Sequence, residues 1–111
     1  MAKELGYVML LDCYGDLLTD HQRNVMEQYY CEDLSLAEIG KPLGITRQAV
    51  MGVIKRTGII LSDYEEKLGF AARLQKMRDH LGRIENAAAD INDEKLRRDI
   101  TDEVSAISEL L

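Results

Sequence analysis

Residues 35–57 read SLAEIGKPLGITRQAVMGVIKRT, and this stretch decides the fold. Ser35 followed by Glu38 is a capping-box pattern: the hydroxyl accepts from the third helical amide, and the carboxylate reaches back to the cap amide. A short helix therefore starts after Ser35. Pro42 has no amide hydrogen and hastens the end of that helix, and Gly44 offers the left-handed backbone that a tight turn requires. Thr46 is a good cap for a second helix starting at Arg47. Ile39, Leu43, Ile45, Val50 and Val53 fall where two such helices need apolar contact, with small Gly40 at their closest approach. The pattern is that of a helix-turn-helix, and it places the chain among helix-turn-helix and winged-helix-like folds.

The flanks supply the remaining helices. From Leu5 to Leu18 the apolar positions Val8, Leu11, Tyr14 and Leu18 recur at three and four residues, the period of one helix face. Thr19 opens T-D-H-Q, a second capping box, so another helix runs from about Asp20 to Cys31 with Val25, Met26, Tyr29 and Tyr30 turned to the core. The helix from Arg47 continues to Gly69 through Ile54, Thr57, Leu61, Tyr64 and Leu68. Gly52 and Gly58 each weaken it by about 1 kcal/mol relative to Ala, and S-D-Y-E at 62–65 is a candidate restart after a break near Gly58. Beyond Gly69, Phe70, Leu74, Met77, Leu81, Ile84 and Ala88 follow steps of four and three. Leu96, Ile100, Val104, Ile107 and Leu111 repeat the pattern after a break at Asn92 and Asp93, so two antiparallel helices are expected. The fold class read here is all-α: a helix-turn-helix domain over residues 1–68 with a long fourth helix, and a C-terminal helical hairpin over residues 69–111. That hairpin packs on the first part or on a second subunit.

Composition bounds the function. The 111 residues suit one domain with a helical appendage, and a net charge of −6 argues against a general phosphate-coating protein. Local charge then decides, and no acidic residue interrupts 41–57. Thr46, Arg47, Gln48, Met51, Gly52, Lys55 and Arg56 are expected on the outer side of the second helix. Arg can form a fork with guanine and Gln with adenine, while Lys41, Lys55 and Arg56 suit phosphates. The competing reading of these charges is a solvated helix face. Tyr14, Tyr29, Tyr30 and Tyr64 fall on core-facing spacings rather than on a stacking platform for single strands.

No phosphate loop, nucleophile elbow or metal-spaced cluster occurs, so neither an enzyme nor a bound metal or cofactor is expected. His21 and His80 stand alone as surface residues, and adjacent Glu65 and Glu66 form a charged helix face. Cys13 and Cys31 lie in helical patterns without C-x-x-C spacing and are expected to be buried and reduced. The start, with Lys3 and Glu4, lacks the apolar core of a signal peptide, and no run reaches the roughly 18 apolar residues of a membrane span. The expectation is a cytoplasmic protein with no membrane partner.

The ordered motifs LLTDHQRNVMEQYY, DLSLAEIG, ITRQAV, IKRT and DYEEKL together resemble the YlxM family, small bacterial proteins similar to region 4 of sigma factors. The likeness runs from about Tyr7 to Leu68. It implies a helix-turn-helix regulator linked to the signal recognition particle pathway, with the family's reading element at Thr46, Arg47, Gln48, Ala49 and Val50 and its basic element at Ile54, Lys55, Arg56 and Thr57. Met51-Gly52 and Gly58 depart from the helix-favouring residues usual there, and the stretch from Ala87-Ala88-Ala89 onward shows no family counterpart. Three functions follow: a transcription regulator binding DNA or RNA, an adaptor docking on a signal recognition particle protein, or a sigma-like domain that binds RNA polymerase. A homodimer is expected, because two-fold dimers are the commonest soluble oligomer and the long helices offer a seam.

Overall fold

The computed structural model describes residues 6–111 and is all-helical. In chain order it contains α1 (Gly6–Tyr14), a 3-10 turn (Gly15–Leu17), α2 (Asp20–Tyr30), α3 (Leu36–Leu43), α4 (Arg47–Leu68), α5 (Phe70–Ala88) and α6 (Glu94–Leu110). Among the described residues there is no strand, so a winged-helix wing is absent. The expected start at Leu5, like Lys3 and Glu4, lies outside the described residues.

The caps are where their residue types place them. Thr19 Oγ1 accepts from the Gln22 amide at 3.2 Å while Gln22 Oε1 accepts from the Thr19 amide at 3.1 Å. Ser35 and Glu38 exchange the same pair of bonds at 3.1 and 3.0 Å. Thr46 Oγ1 accepts from the Ala49 amide at 3.0 Å, and Asp93 caps α6 through the Leu96 amide at 3.1 Å. Each bond satisfies an amide that the first helical turn leaves without a partner, which is worth about 1 kcal/mol.

The described residues form two compact units that divide between Ala71 and Ala72. In the first, α4 packs against α1, α2 and α3. The core consists of Leu11 and Tyr14 from α1, Val25 and Met26 from α2, Ile39 from α3, and Val50, Ile54 and Leu61 from α4. Tyr7, Tyr29, Tyr30 and Tyr64 are half-buried against it, as the core reading of the tyrosines requires. α4 runs unbroken through Gly58, and Ser62 is an interior residue rather than a restart cap. Gly58 is buried beneath Tyr7, whose ring and hydroxyl lie 3.2–3.4 Å from where a Cβ would stand. The packed ring compensates for the low helix preference of glycine.

Two other expectations are corrected. Leu43 is 46% exposed instead of joining the α3–α4 contact. The chain reverses at Gly44 (φ +69), and the Ile45 amide donates to the Gly40 carbonyl at 3.1 Å, so Ile45 folds back over the helix end and packs against the core. Cys31 is exposed because it is the C-cap of α2, where the chain leaves the core for the polar break at Glu32 and Asp33. Its thiol is pushed up by partial desolvation and then by Glu27, Asp12 and Glu32. Cys13 is half-buried.

The second unit is a hairpin of α5 and α6 in which Arg78 donates to the Leu111 carbonyl at 2.9 Å. Its seam is only partly closed: Leu81, Ala88 and Val104 are buried, whereas Met77, Ile84, Leu96 and Ile107 are about half exposed.

Glu65 is more than a surface charge. The Tyr14 hydroxyl donates to Glu65 Oε1 at 2.6 Å and accepts from the Phe70 amide at 3.1 Å, while the same carboxylate oxygen accepts from the Ala71 amide at 3.0 Å. This node ties α1 to the end of α4 and to the first two amides of α5. Burial, followed by the Glu65 hydrogen bond, holds the Tyr14 phenol above the ordinary tyrosine range.

Three stability experiments follow. At Gly40 an added Cβ would stand 2.6 Å from the Ile45 carbonyl oxygen and 3.1 Å from Val50 Cγ2, so Gly40→Ala lowers unfolding free energy by about 1 to 3 kcal/mol. Gly82→Ala meets nothing within 4 Å and raises it by up to about 1 kcal/mol; urea titration of both separates packing from helix preference. Thr57 is fully buried, and its Oγ1 has no hydrogen-bond partner among the described residues. Thr57→Val therefore stabilises by about 1 kcal/mol, read as a rise in Tm. Tyr14→Phe removes the hydroxyl that donates to Glu65 and accepts from the Phe70 amide, while the Ala71 amide still donates to Glu65, and costs about 1 to 3 kcal/mol. Because the folded-state phenol pKa is raised, its contribution is complete below the ordinary tyrosine range and fades above it. The gap between wild type and Tyr14→Phe accordingly narrows as pH rises through that range.

Candidate nucleic-acid interface

The α3–α4 pair is held at a fixed angle by contact of backbone with side chain. Gly40 admits both the Ile45 carbonyl and Val50, while Ile39 and Val50 are sealed in the core. The turn at Gly44 leads into Thr46, so α4 begins with its side-chain cap already engaged and no acidic residue in its first turn. A helix start carries partial positive charge, and Arg47 adds a full one.

Of the eight residues singled out from the sequence, Lys41, Thr46, Arg47, Gln48, Lys55 and Arg56 are exposed. On α4 they form two adjacent rows at four-residue spacing, Arg47–Met51–Lys55 and Gln48–Gly52–Arg56, each about 12 Å long. Lys41 joins them from the last turn of α3. Met51 and Gly52 are half-buried in the middle of these rows. Met51 packs on the core, and Gly52 leaves room for the Arg56 guanidinium, whose Nη1 lies 3.1 Å from where a Cβ would stand. Met51 is thus a supporting residue at the base of the face, and the polar ends of the rows are what a ligand would meet.

Among the described residues, Lys41, Arg47, Lys55 and Arg56 make no ion pair, whereas Arg23, Lys67, Lys95 and Arg98 are each engaged with a carboxylate elsewhere. The face combines positive charge with forked and amide donors, the groups that recognise phosphates and base edges. No group of three or more His, Cys, Asp or Glu side chains among the described residues could hold a metal ion. His21 and His80 are exposed.

The sequence reading missed what lies beside this face. A groove of about 540 Å³ runs along α4, lined by Tyr7, Tyr29 and Tyr30 on one side and by Met51, Lys55, Ile59 and Glu66 among others on the α4 side. The signal that could have found it is Ile59, an apolar residue set between Lys55 and Asp63 on the outward side of α4.

Comparison with known proteins agrees with this architecture. A family model described as "Putative helix-turn-helix protein, YlxM / p13 like" matches residues 1–104. The match takes in most of the hairpin, correcting the expectation that the chain from Ala87 onward has no family counterpart. A UPF0122 protein of Clostridium kluyveri is 50% identical over 68 residues, 61% of each chain, so this chain spans about three fifths of that relative's length. A UPF0122 protein of Halalkalibacterium halodurans is 42% identical over 87 residues, covering 78% of this chain and 80% of the relative. One from Symbiobacterium thermophilum is 43% identical over 79 residues, 71% of this chain and 74% of its own. With its α3–turn–α4 unit, its all-helical build and a family match over almost its full length, the chain belongs to the UPF0122 family of YlxM / p13-like helix-turn-helix proteins.

Proposed function

We propose that this protein is a non-enzymatic nucleic-acid-binding regulator that uses the start of α4 as its reading end. The observation that carries the proposal is the unpaired basic face on a helix-turn-helix whose second helix begins with Thr46, Arg47 and Gln48. Arg47 and Gln48 contact base edges in a DNA major groove, and Lys41, Lys55 and Arg56 hold phosphates. RNA is the alternative ligand of the same donors. The likeness to sigma region 4 supports transcription regulation as the setting, and the YlxM resemblance supports a place in the signal recognition particle pathway. Among the described residues no helix is long and apolar enough to cross a membrane. The reading is of a cytoplasmic protein acting as a homodimer.

A second reading has its own observation. The whole chain is acidic by six charges, and the seam of the α5–α6 hairpin leaves Met77, Ile84, Leu96 and Ile107 about half exposed. An adaptor that docks on a signal recognition particle protein without touching nucleic acid would use this C-terminal hairpin and its acidic surface rather than Arg47.

Fluorescence-polarisation titration against duplex DNA and small RNA at two salt concentrations separates the readings. Lys55→Ala weakens binding across all sequences and lowers the slope of log affinity against log salt by about one. Arg47→Ala costs about 1 to 3 kcal/mol on the preferred site and flattens sequence preference. Binding unchanged in the Arg47 and Lys55 double substitution would contradict the proposal, and no binding at all would favour the adaptor.

A further inference from the structure

The α5–α6 hairpin has one apolar side and one polar side. On α5, Met77 and Ile84 stand four residues before Leu81 and Ala88, which are buried. On α6, Ile100 and Ile107 stand four residues before buried Val104 and half-buried Leu111. Equal offsets from the covered seam turn to the same side of an antiparallel helix pair, because a two-fold perpendicular to the pair exchanges its helices. Four residues after Leu81 and Val104 come Glu85 and Ser108, so the other side is polar. On the apolar side Met77, Ile84 and Ile107 remain 45–50% exposed in the described chain. A two-helix seam leaves such rows open, whereas a four-helix bundle encloses them.

We infer that this side is a homodimer surface on which two hairpins lie face to face as a four-helix bundle, α5 of each copy against α6 of the other. The inference rests on the homodimer reading above and names the face and the arrangement that form it. Charge selects the arrangement. Beside its apolar row, the outer edge of α5 carries Arg73, Lys76, His80 and Arg83 without a carboxylate, whereas the corresponding edge of α6 carries Asp99 and Glu103. A two-fold parallel to the helices sets the basic edge on the acidic one, twice. Setting α5 on α5 would oppose basic to basic and acidic to acidic, so the same charges disfavour it.

The register agrees. A two-fold parallel to the helices preserves distance from the turn, so residues near the turn of one copy meet residues near the turn of the other. Ala87, His80 and Arg73 step away from it by sevens along α5, and Leu96, Glu103 and Leu110 do so along α6. Ala87 therefore comes level with Leu96 of the second copy, His80 with its Glu103, and Arg73 with its Leu110, while Arg83 comes level with its Asp99. Leu96 and Leu110, 49% and 85% exposed, are thereby covered. Met77, Ile84, Ile100 and Ile107 of both copies fill the centre.

The open side is about 25 Å long and two helix diameters, about 20 Å, wide. Two copies thus enclose on the order of 1,000 Å² in projection, the size at which an interface becomes stable. Existing contacts do not oppose the pairing. Among the described residues Lys76, His80, Arg83 and Glu103 make no ion pair. Asp99 is bridged to Lys95 at 3.2 Å, but both groups are more than half exposed, and such pairs contribute little. None of the residues placed on nucleic acid is used.

Two full-length variants test the arrangement in the absence of nucleic acid: one carries Asp99→Lys with Glu103→Lys, the other Lys76→Glu, His80→Glu and Arg83→Glu. Sedimentation equilibrium at low salt is expected to show a wild-type dimer, weakened about tenfold or more in each variant alone, where like charges face across the two-fold. An equimolar mixture regains the dimer as a heterodimer, because one copy is then basic on both edges and the other acidic on both. A third variant, Met77→Glu with Ile107→Glu, alters only half-exposed side chains and is expected to be monomeric with unchanged helix content by circular dichroism. A monomeric wild type would overturn the inference and leave the seam to the adaptor reading. So would charge variants that dimerise alone as tightly as wild type, or a mixture no tighter than its parts. A dimer that survives Met77→Glu with Ile107→Glu would also overturn it, and would place the homodimer on another surface. Nucleic-acid binding is measured separately: a charge-switchable dimer without such binding sinks the regulator reading and leaves this surface standing.

Discussion

Everything proposed for this protein depends on the contact at Gly40. The Ile45 carbonyl and the Val50 side chain occupy the space that a Cβ would fill there, so α3 and α4 cross at a separation no larger residue permits. That crossing, together with the left-handed turn at Gly44, sets the direction in which α4 leaves the turn. It therefore determines where Arg47 and Gln48 point. Without it, α4 would still pack against α1 and α2, but its first turn would no longer be held at this distance from α3.

The long α4 links two regions of opposite charge. Its first half is basic and lacks carboxylates, while its second half carries Asp63, Glu65 and Glu66. Glu65 turns inward to the Tyr14 node and secures the start of α5. Asp63 and Glu66 remain on the surface. One helix thus presents donors suited to an anionic ligand at one end and acceptors at the other, so a chain of net charge −6 still carries a locally basic face.

Local chemistry was the most legible part of the sequence. Capping at Thr19, Ser35 and Thr46 and the turn at Gly44 depend on residues within a few positions of one another, and each lies where its residue type calls for it. Features that depend on distant partners were not legible. The continuity of α4 through Gly58 requires Tyr7 to pack over it, and the inward turn of Glu65 requires Tyr14, fifty-one positions away. Leu43 and Cys31 were misplaced because periodicity assigns a face but does not show where a helix end turns it to solvent. The basic face was legible as a charge pattern. The half-burial of Met51 and Gly52 within it, and the groove beside it, required the packing of α1 and α2 against α4.

The central claim is that the first turns of α4 and the end of α3 meet nucleic acid. Amide chemical-shift mapping of isotopically labelled protein during titration with duplex DNA tests this residue by residue. The account predicts shifts concentrated at Lys41 and from Thr46 to Arg56, with little change along α6. Shifts confined to α5 and α6, or none at saturating DNA, would contradict it.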